Sequence, residues 1–309
     1  MKISIITTTY NVDKYIEDTL ESVLSQKGDF YIEYILYDAC STDRTFEIIQ
    51  KFQQRVYNGE FNGRCLGIEM QVYQEKDNGM YDGISKGFMK ATGDVVAYIN
   101  GDDFYLPFAF STVCDVFKNN QNVNWIKGIS NIYNEKGQNI IHDDYYYCYP
   151  RLILNGLTGT KYPFIQQESV FWRRELLDVI NYDEFKNFNL AGDFYLWHTF
   201  TKNGNILYNV DSVLSGFRCR KNQKSQLIND YHKEMKQIVD IYYKDKKSID
   251  KQFKFSIVPN SIIYNGDTNN WIIEKYSFKD ILVRFKKSKF RKLVKSILLN
   301  EKLDKYAEV

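Results

Sequence analysis

The chain has 309 residues, 44% of them hydrophobic and 26% charged, the balance of a folded globular protein with a core of its own. A net charge of only +2 argues against a general nucleic-acid binder, and no nucleic-acid partner is expected. No apolar run approaches the ~18 residues of a membrane span, and Met1 to Ile6 turns polar too soon for a secretory leader. The five cysteines are scattered without a Cys-x-x-Cys pair, so reduced thiols in a cytoplasmic protein are expected. The three histidines lie too far apart for a histidine-based metal motif. Aromatic residues are abundant, led by 25 Tyr and 21 Phe; their rings suit stacking on sugars and bases as well as core packing.

The first half of the chain alternates strand and helix patterns. Lys2 to Thr8 is a β-branched run and predicts strand 1, followed by the polar exit loop Thr7-Thr8-Thr9-Tyr10-Asn11. Ile16, Leu20, Val23 and Leu24 recur at helical spacing, so Val12 to Gln26 predicts an amphipathic helix with Asn11 or Asp13 as its N-cap. Glu33 to Tyr37 is strand 2 and is closed by Asp38. Ser41-Thr42-Asp43 caps a second helix that contains Phe46, Ile49 and Phe52. Leu66 to Gln74 is strand 3, followed by Glu75-Lys76-Asp77-Asn78-Gly79. A third helix carries Tyr81, Ile84, Phe88 and Met89, and Gly93 stops it. Asp94 to Tyr98 is strand 4, which leads through Asn100-Gly101 to the adjacent acids Asp102 and Asp103.

This β-α-β-α-β-α-β order predicts an α/β domain with a mostly parallel sheet covered by helices on both faces. In such sheets ligands bind beyond the carboxyl ends of the strands. Each strand here ends in polar groups: Thr8 with Tyr10, then Asp38, then Asp77, then Asp102 and Asp103. Two neighbouring carboxylates are costly unless a cation neutralises them, and hard oxygen donors suit Mg²⁺ or Mn²⁺. Taken alone, the pair also reads as a hydrated acidic turn. The sequence has no G-x-G-x-x-G after strand 1 and no G-x-x-x-x-G-K-[ST], so a dinucleotide oxidoreductase and a P-loop enzyme are both disfavoured. Convergence of the acids on one edge favours a metal-assisted site for a nucleotide or another phosphorylated ligand.

Four stretches taken together resemble the ordered motifs of family 2 glycosyltransferases of the GT-A fold: Thr7-Thr8-Thr9-Tyr10-Asn11, Asp38-Ala39-Cys40-Ser41-Thr42-Asp43, Glu75-Lys76-Asp77-Asn78-Gly79-Met80-Tyr81-Asp82 and Asn100-Gly101-Asp102-Asp103. The bacterial members that build surface polysaccharides are the most similar, and the resemblance runs over roughly residues 1 to 225. One departure stands out: Cys40 occupies the place of the family's usual glycine, which implies a changed turn. The resemblance implies that Thr8 and Tyr10 hold the nucleobase and ribose, Tyr10 by stacking. It implies that Asp38 accepts a hydrogen bond from the base and that Asp77 and Asp82 line the nucleotide pocket. Asp102 and Asp103 would be the family's acidic pair, joining ribose and Mn²⁺ or Mg²⁺ to the diphosphate. Tyr10 also reads as an ordinary rim or core aromatic.

In the second half, Asn122 to Tyr133 predicts a strand and Gly137 to His142 its antiparallel partner. Asp143-Asp144-Tyr145-Tyr146-Tyr147 reads equally as an acceptor wall and as an edge strand, and His142 as a surface residue. Gln166 to Phe171 is similar to the family's strand before the acceptor site, with Gln166 in place of a histidine. Gly192-Asp193 opens an apolar helix, so Asp193 reads as an N-cap or first-turn acid; the resemblance makes it the general base. His198 on the same helix reads as packing. After a strand from Asp211 to Ser215, the basic loop Gly216 to Ser225 offers Arg218 and Arg220 to a departing diphosphate, or else is merely solvated.

Beyond Ser225, Leu227 to Tyr243 predicts a helix, Lys246 to Ile257 another, and Asn265-Gly266-Asp267 a turn. Residues 275–295 hold nine basic residues and one acid, with Phe290, Leu293, Val294 and Ile297 on one helical face. That pattern fits either peripheral contact with the inner face of the cytoplasmic membrane through 275–297 or a helix docked on the catalytic domain.

The expectation is thus an α/β protein of GT-A type with residues 1–105 as the nucleotide-sugar half, 106–225 as the acceptor half and 226–309 as a helical extension. Its activity would be inverting transfer from a nucleotide-diphosphate sugar, UDP-linked, to a glycan or lipid-linked acceptor. A sugar nucleotidyltransferase would instead need a glycine- and arginine-rich loop after strand 1, where this chain has Thr7-Thr8-Thr9-Tyr10. A catalytically silent sugar-nucleotide or glycan-binding relative is a further alternative, against which the retained Asp102, Asp103 and Asp193 argue.

Overall fold

A computed structural model describes residues 1–142, 148–221, 223–242 and 260–274. β1 (Lys2–Thr9), β2 (Tyr31–Asp38), β3 (Gly67–Gln74) and β4 (Val95–Tyr98) are joined by α1 (Ile16–Leu24), α2 (Thr45–Tyr57) and α3 (Met80–Lys90). β1 lies parallel between β2 and β4, and β3 lies parallel outside β2. Thr9 stands opposite Asp38, and Asp38 opposite Gln74, so the polar strand ends emerge at one edge. Both faces of these strands are apolar. Ile3, Ile5, Tyr34, Leu36, Val95 and Ala97 pack into one core cluster, with Leu20, Val23 and Phe52 from α1 and α2. Ile6, Ile35, Tyr37, Val96 and Tyr98 pack into the other, with Ile84 and Phe88 from α3. The switch of face at every residue is the period-2 signature of a strand.

The chain continues through β5 (Phe104–Tyr105), α4 (Ala109–Asn119), β6 (Trp125–Tyr133), β7 (Asn139–Ile141), α5 (Pro150–Leu154), β8 (Val170–Arg173), α6 (Tyr182–Phe185), α7 (Gly192–Lys202), β9 (Leu207–Arg218), α8 (Ile228–Tyr242), β10 (Ser261–Asn265) and β11 (Asn270–Ile273). Among the described residues eleven strands make one sheet, ordered β11-β10-β9-β6-β8-β4-β1-β2-β3, with β5 paired to β9 and β7 to β6. β8 runs antiparallel between β4 and β6, so the sheet is mixed rather than wholly parallel. The hairpin of β6 and β7 matches its expectation, as does the helix opening at Gly192. α7 rests on buried rings: Trp197 stacks on Trp125 at 5.6 Å and meets Trp172 edge-on at 6.0 Å, which fixes the helix carrying Asp193.

Several local readings are corrected. Neither Asn11 nor Asp13 caps α1, which starts at Ile16 with no side-chain cap. Asn11 instead sits at φ 52° and accepts the Thr42 N–H at 2.8 Å, while Asp43 accepts the Asp13 N–H at 3.1 Å. The β1–α1 and β2–α2 loops compete for those polar groups and win them from the helix. Asp43 does serve α2, accepting the Thr45 N–H at 2.9 Å. Met89 is exposed and takes no part in the core. Gln167–Ser169 is a 3-10 turn ahead of β8 rather than part of that strand. β9 runs on to Arg218, so the basic loop begins only at Cys219. Cys40 itself adopts φ 58°, a left-handed conformation that glycine takes more readily than other residues.

The C-terminal extension is not uniformly helical. α8 buries Met235 and Ile238 in the core beside α7, and β10 adds parallel to β9 with β11 antiparallel outside it. The turn expected at Asn265-Gly266-Asp267 links these two strands. All five cysteines are free thiols. The Asp143–Tyr147 cluster, the helix expected over Lys246–Ile257 and the basic segment 275–297 lie outside the described residues. No helix among the described residues is long and apolar enough to cross a membrane.

Candidate active site

A cavity of about 890 Å³ opens where β1 and β4 end. Thr8 at the end of β1 lines it with Tyr10 and Cys40 from the first two loops, Lys76 and Asp77 from the loop between β3 and α3, Tyr81 from the start of α3, and Asp102 and Asp103 from the turn after β4. Gln167 and Glu168 line it ahead of β8, Asp193 at the start of α7, Arg220 and Lys224 after β9, and Tyr231 from α8. The fold therefore gathers Thr8, Tyr10, Asp77, Asp102, Asp103, Asp193 and Arg220 around one space. Tyr10 is 60% exposed at its rim, placed as an aromatic that stacks on a ligand would be.

Three candidates stand behind the wall instead. Asp38 is fully buried, and its oxygens accept from the Thr9 hydroxyl at 3.0 Å, the Ser41 N–H at 2.9 Å, the Ser41 hydroxyl and the Gln74 amide at 3.1 Å. It anchors the β2 exit loop and does not face the cavity to meet a base. Asp82 accepts the Asn78 N–H at 3.0 Å and pairs with Lys86 at 3.7 Å, holding the loop that presents Asp77 rather than lining the pocket itself. Arg218 is 4% exposed. It donates to the Asp102 carbonyl at 3.0 Å, to the Glu135 carbonyl at 3.3 Å and to Asp18 at 2.7 Å, with Tyr15 and Phe104 against its guanidinium. Those contacts consume its fork, so of the two arginines only Arg220 is on the cavity wall.

The acidic pair differs internally. Asp103 is buried, and its oxygens accept the Arg218 N–H at 2.8 Å and the Asn100 amide at 3.3 Å. Burial, then the neighbouring carboxylates of Asp102 and Glu168, push its carboxyl well above the usual range. Asp102 forms an ion pair with Arg220. Among the described residues no group of three or more His, Cys, Asp or Glu side chains forms a metal cage. Two adjacent hard carboxylates are nevertheless what Mg²⁺ or Mn²⁺ takes from a protein when phosphates and water complete the shell. The unfavourable crowding of Asp102, Asp103 and Glu168 is the kind that a divalent cation relieves. The donor set fits such an ion.

Asp193 occupies the first turn of α7. Its Oδ1 accepts the Phe194 N–H at 2.7 Å and the Tyr231 hydroxyl at 2.9 Å. Burial raises the carboxyl to about 6, against the opposing effect of those two donors; the Glu234 charge raises it further. A carboxylate poised there can take a proton near neutral pH. Gly192 beside it is obligatory: a Cβ would lie 2.6 Å from the Tyr81 ring, whose hydroxyl accepts the Asp193 N–H at 3.2 Å. His198 is buried, and burial lowers it to about 4, as expected of a packing residue.

Sequence reasoning missed Glu168, Lys224, Tyr231 and Glu234. Burial lowers the Lys224 ammonium, with Asp77 and Glu234 acting against it. The i, i+3 spacing of Tyr231 and Glu234 placed them on one face of a predicted helix, but nothing local said where that helix would dock.

The family model for glycosyl transferase family 2 matches residues 4–180. The putative teichuronic acid biosynthesis glycosyltransferase TuaG of Bacillus subtilis is 35% identical over 104 residues, 33% of this chain and 36% of TuaG. The poly(ribitol-phosphate) beta-N-acetylglucosaminyltransferase TarS of Staphylococcus aureus is 29% identical over 107 residues, 34% of this chain and 17% of TarS. The matches thus span well under half the length of either relative. Among solved structures, S. aureus TarS 1-349 in complex with UDP aligns with TM-score 0.53 and 18% identity over 84% of this chain and 76% of that one. The mannosyltransferase PcManGT of Pyrobaculum calidifontis, in complex with GDP-Man and Mn²⁺, aligns with TM-score 0.51 and 15% identity over 82% of this chain and 70% of that one. These likenesses establish the fold as GT-A type. With the family match running from residue 4 to residue 180, over more than half of its 309 residues, this chain belongs to glycosyl transferase family 2.

Proposed function

We propose that this chain transfers a sugar, with inversion, from a UDP-linked donor to a glycan or lipid-linked acceptor in the assembly of a surface polysaccharide. The observation that carries the proposal is one cavity with two acidic ends: Asp102 and Asp103 at the strand edge, and Asp193 at the start of α7. The first pair suits a diphosphate and its metal; the second suits an acceptor hydroxyl. The names of TuaG and TarS, and the UDP bound to TarS, support the choice of polymer and nucleotide.

In this reading Thr8 and Tyr10 receive the nucleoside, and Asp77 closes the same side. Asp38 and Asp82 hold their loops in place from behind. Asp102 and Asp103 would hold Mn²⁺ or Mg²⁺, which supplies positive charge to the leaving diphosphate. Arg220, now neutralised by Asp102, adds a second cation within the same wall. Asp193 accepts the proton of the acceptor hydroxyl as its oxygen bonds to the anomeric carbon. The bond from that carbon to the diphosphate oxygen breaks, and the electron pair leaves with UDP. Attack opposite to the leaving group inverts the anomeric centre. Residues 1–105 would serve the donor and 106–225 the acceptor, with α8 completing the acceptor side. Peripheral membrane contact through 275–297, at the cytoplasmic face, would bring a lipid-linked acceptor within reach.

A thermal-unfolding screen tests the donor. With Mn²⁺ present, UDP and UDP-sugars at 100 times their dissociation constant should stabilise the protein by about 2.7 kcal/mol. Stabilisation by GDP-mannose with none by any uridine nucleotide would overturn the UDP assignment.

A further inference from the structure

α8 meets the start of α7 through two residues one turn apart. The Tyr231 hydroxyl donates to Oδ1 of Asp193 at 2.9 Å. The Glu234 carboxylate accepts three successive backbone N–H groups, those of Asn189 at 3.3 Å, Leu190 at 3.0 Å and Ala191 at 2.8 Å. These three amides lead directly into α7, whose N-cap residue, Ala191, has no side-chain oxygen to offer the helix. α8 is rooted by buried Met235 and Ile238, so both contacts come from a fixed surface. Phe164 packs edge-on against the Tyr231 ring at 5.5 Å and keeps it on the cavity side.

We propose that Tyr231 and Glu234 are positioning residues for Asp193: Tyr231 fixes the carboxylate's rotamer, and Glu234 fixes the entry to α7 while placing a second negative charge near the base. The inference rests on Asp193 being the base. Both hydrogen bonds to the side chain end on Oδ1, which leaves Oδ2 to receive a proton from an acceptor. The groups facing Asp193 act in opposite senses. Tyr231 and the Phe194 N–H favour its ionised form, whereas burial and Glu234 favour the protonated form. Tyr81 from α3 and Tyr98 from β4 also face it, and Lys224 faces Glu234. The pair on α8 therefore pushes the base in two directions, which a merely structural contact would not do.

Carbon-13 NMR of aspartate-labelled full-length protein tests this without a substrate. The Asp193 carboxyl signal is identified by its loss in Asp193→Asn. In the wild type it should titrate near 6. Glu234→Gln, which retains an acceptor oxygen but no charge, should lower the midpoint by roughly 0.5–1 unit, and Tyr231→Phe should raise it by a similar amount. UDP affinity, read by calorimetry, should be unchanged in both folded variants. An unmoved midpoint, or shifts of the same sign, in variants that still bind UDP would overturn the inference alone. If Glu234→Gln fails to fold, Glu234→Asn likewise removes the charge and keeps an acceptor oxygen; if Tyr231→Phe fails to fold, Tyr231→Leu likewise removes the hydroxyl donor. Shifts of opposite sign in a protein whose sugar transfer survives Asp193→Asn would instead overturn the base assignment, and with it the purpose given to α8.

Discussion

Arg218 offers its backbone N–H to Oδ1 of Asp103 at 2.8 Å, so the end of β9 grips the acidic turn that follows β4. The Arg218 side chain extends the grip to the Asp102 carbonyl and to Asp18 on α1. Arg220, two residues on, points to the cavity and pairs with the Asp102 carboxylate. The two arginines should therefore fail differently. Arg218→Ala removes a buried guanidinium with its three side-chain hydrogen bonds and its packing against Tyr15 and Phe104, and should cost roughly 2–4 kcal/mol in chemical denaturation. Arg220→Ala breaks a partly exposed pair and should cost under about 1 kcal/mol, while weakening UDP binding. Equal stability losses in the two variants would contradict this division of roles.

The crowding of Asp103 with Asp102 and Glu168 should make UDP binding depend on a divalent cation. Calorimetry in Mn²⁺ should give at least about tenfold tighter binding than in EDTA, some 1.4 kcal/mol. Asp103→Asn should erase that difference while keeping the hydrogen bond from the Arg218 N–H. Equal affinity with and without the metal would show that the pair serves another purpose.

The raised proton affinity of Asp193 also predicts a stability effect. Its carboxyl titrates near 6 when folded and at the ordinary 3.8 when unfolded. The native state thus favours the protonated form. That contribution is fully present below about pH 4 and is lost as pH rises through 6. Asp193→Asn escapes the loss, so at pH 8 the variant should be more stable than the wild type by roughly 1–3 kcal/mol, with the gap closing near pH 4. A variant less stable than wild type at pH 8, measured by urea unfolding, would show that ionised Asp193 is well accommodated.

Cys40 holds a left-handed backbone conformation that costs a non-glycine residue about 1–2 kcal/mol. Cys40→Gly should relieve the strain, and the greater freedom of the unfolded glycine offsets part of the gain. A net stabilisation of up to about 1 kcal/mol, with UDP affinity within about twofold, is the expected outcome. Destabilisation would mean that the Cys40 side chain contributes packing that outweighs its backbone.

The strands were readable because their apolar residues face two helical layers, as Ile5 and Ile6 do on opposite sides of β1. The site's edge was readable because the acids sit at strand ends, which topology brings together whatever the side chains do. What the sequence could not show is which way each strand-end residue turns. Asp38 is drawn back by Ser41 and Gln74, Asp82 by the Asn78 N–H, and Arg218 by Asp18, 200 residues away. All three look like binding residues in a linear motif, and all three hold loops in place. The opposite error concerns Tyr231 and Glu234, which carry no motif at all. Their importance arises only from the docking of α8 on α7, a contact that local periodicity does not encode.

The most direct measurement is the steady-state kinetics of Asp193→Asn beside its UDP affinity. Asparagine keeps the shape and can still accept from Phe194 and Tyr231, but it cannot take a proton from the acceptor. If Asp193 is the base, kcat should fall by roughly 10²–10⁴-fold while UDP binds as it does to the wild type. Wild-type kcat/KM should also rise with pH through a single ionisation near 6, and that limb should vanish in the variant's residual activity. Transfer within a few-fold of wild type by a folded Asp193→Asn protein would contradict the assignment and leave Asp193 as no more than the first-turn acid of α7.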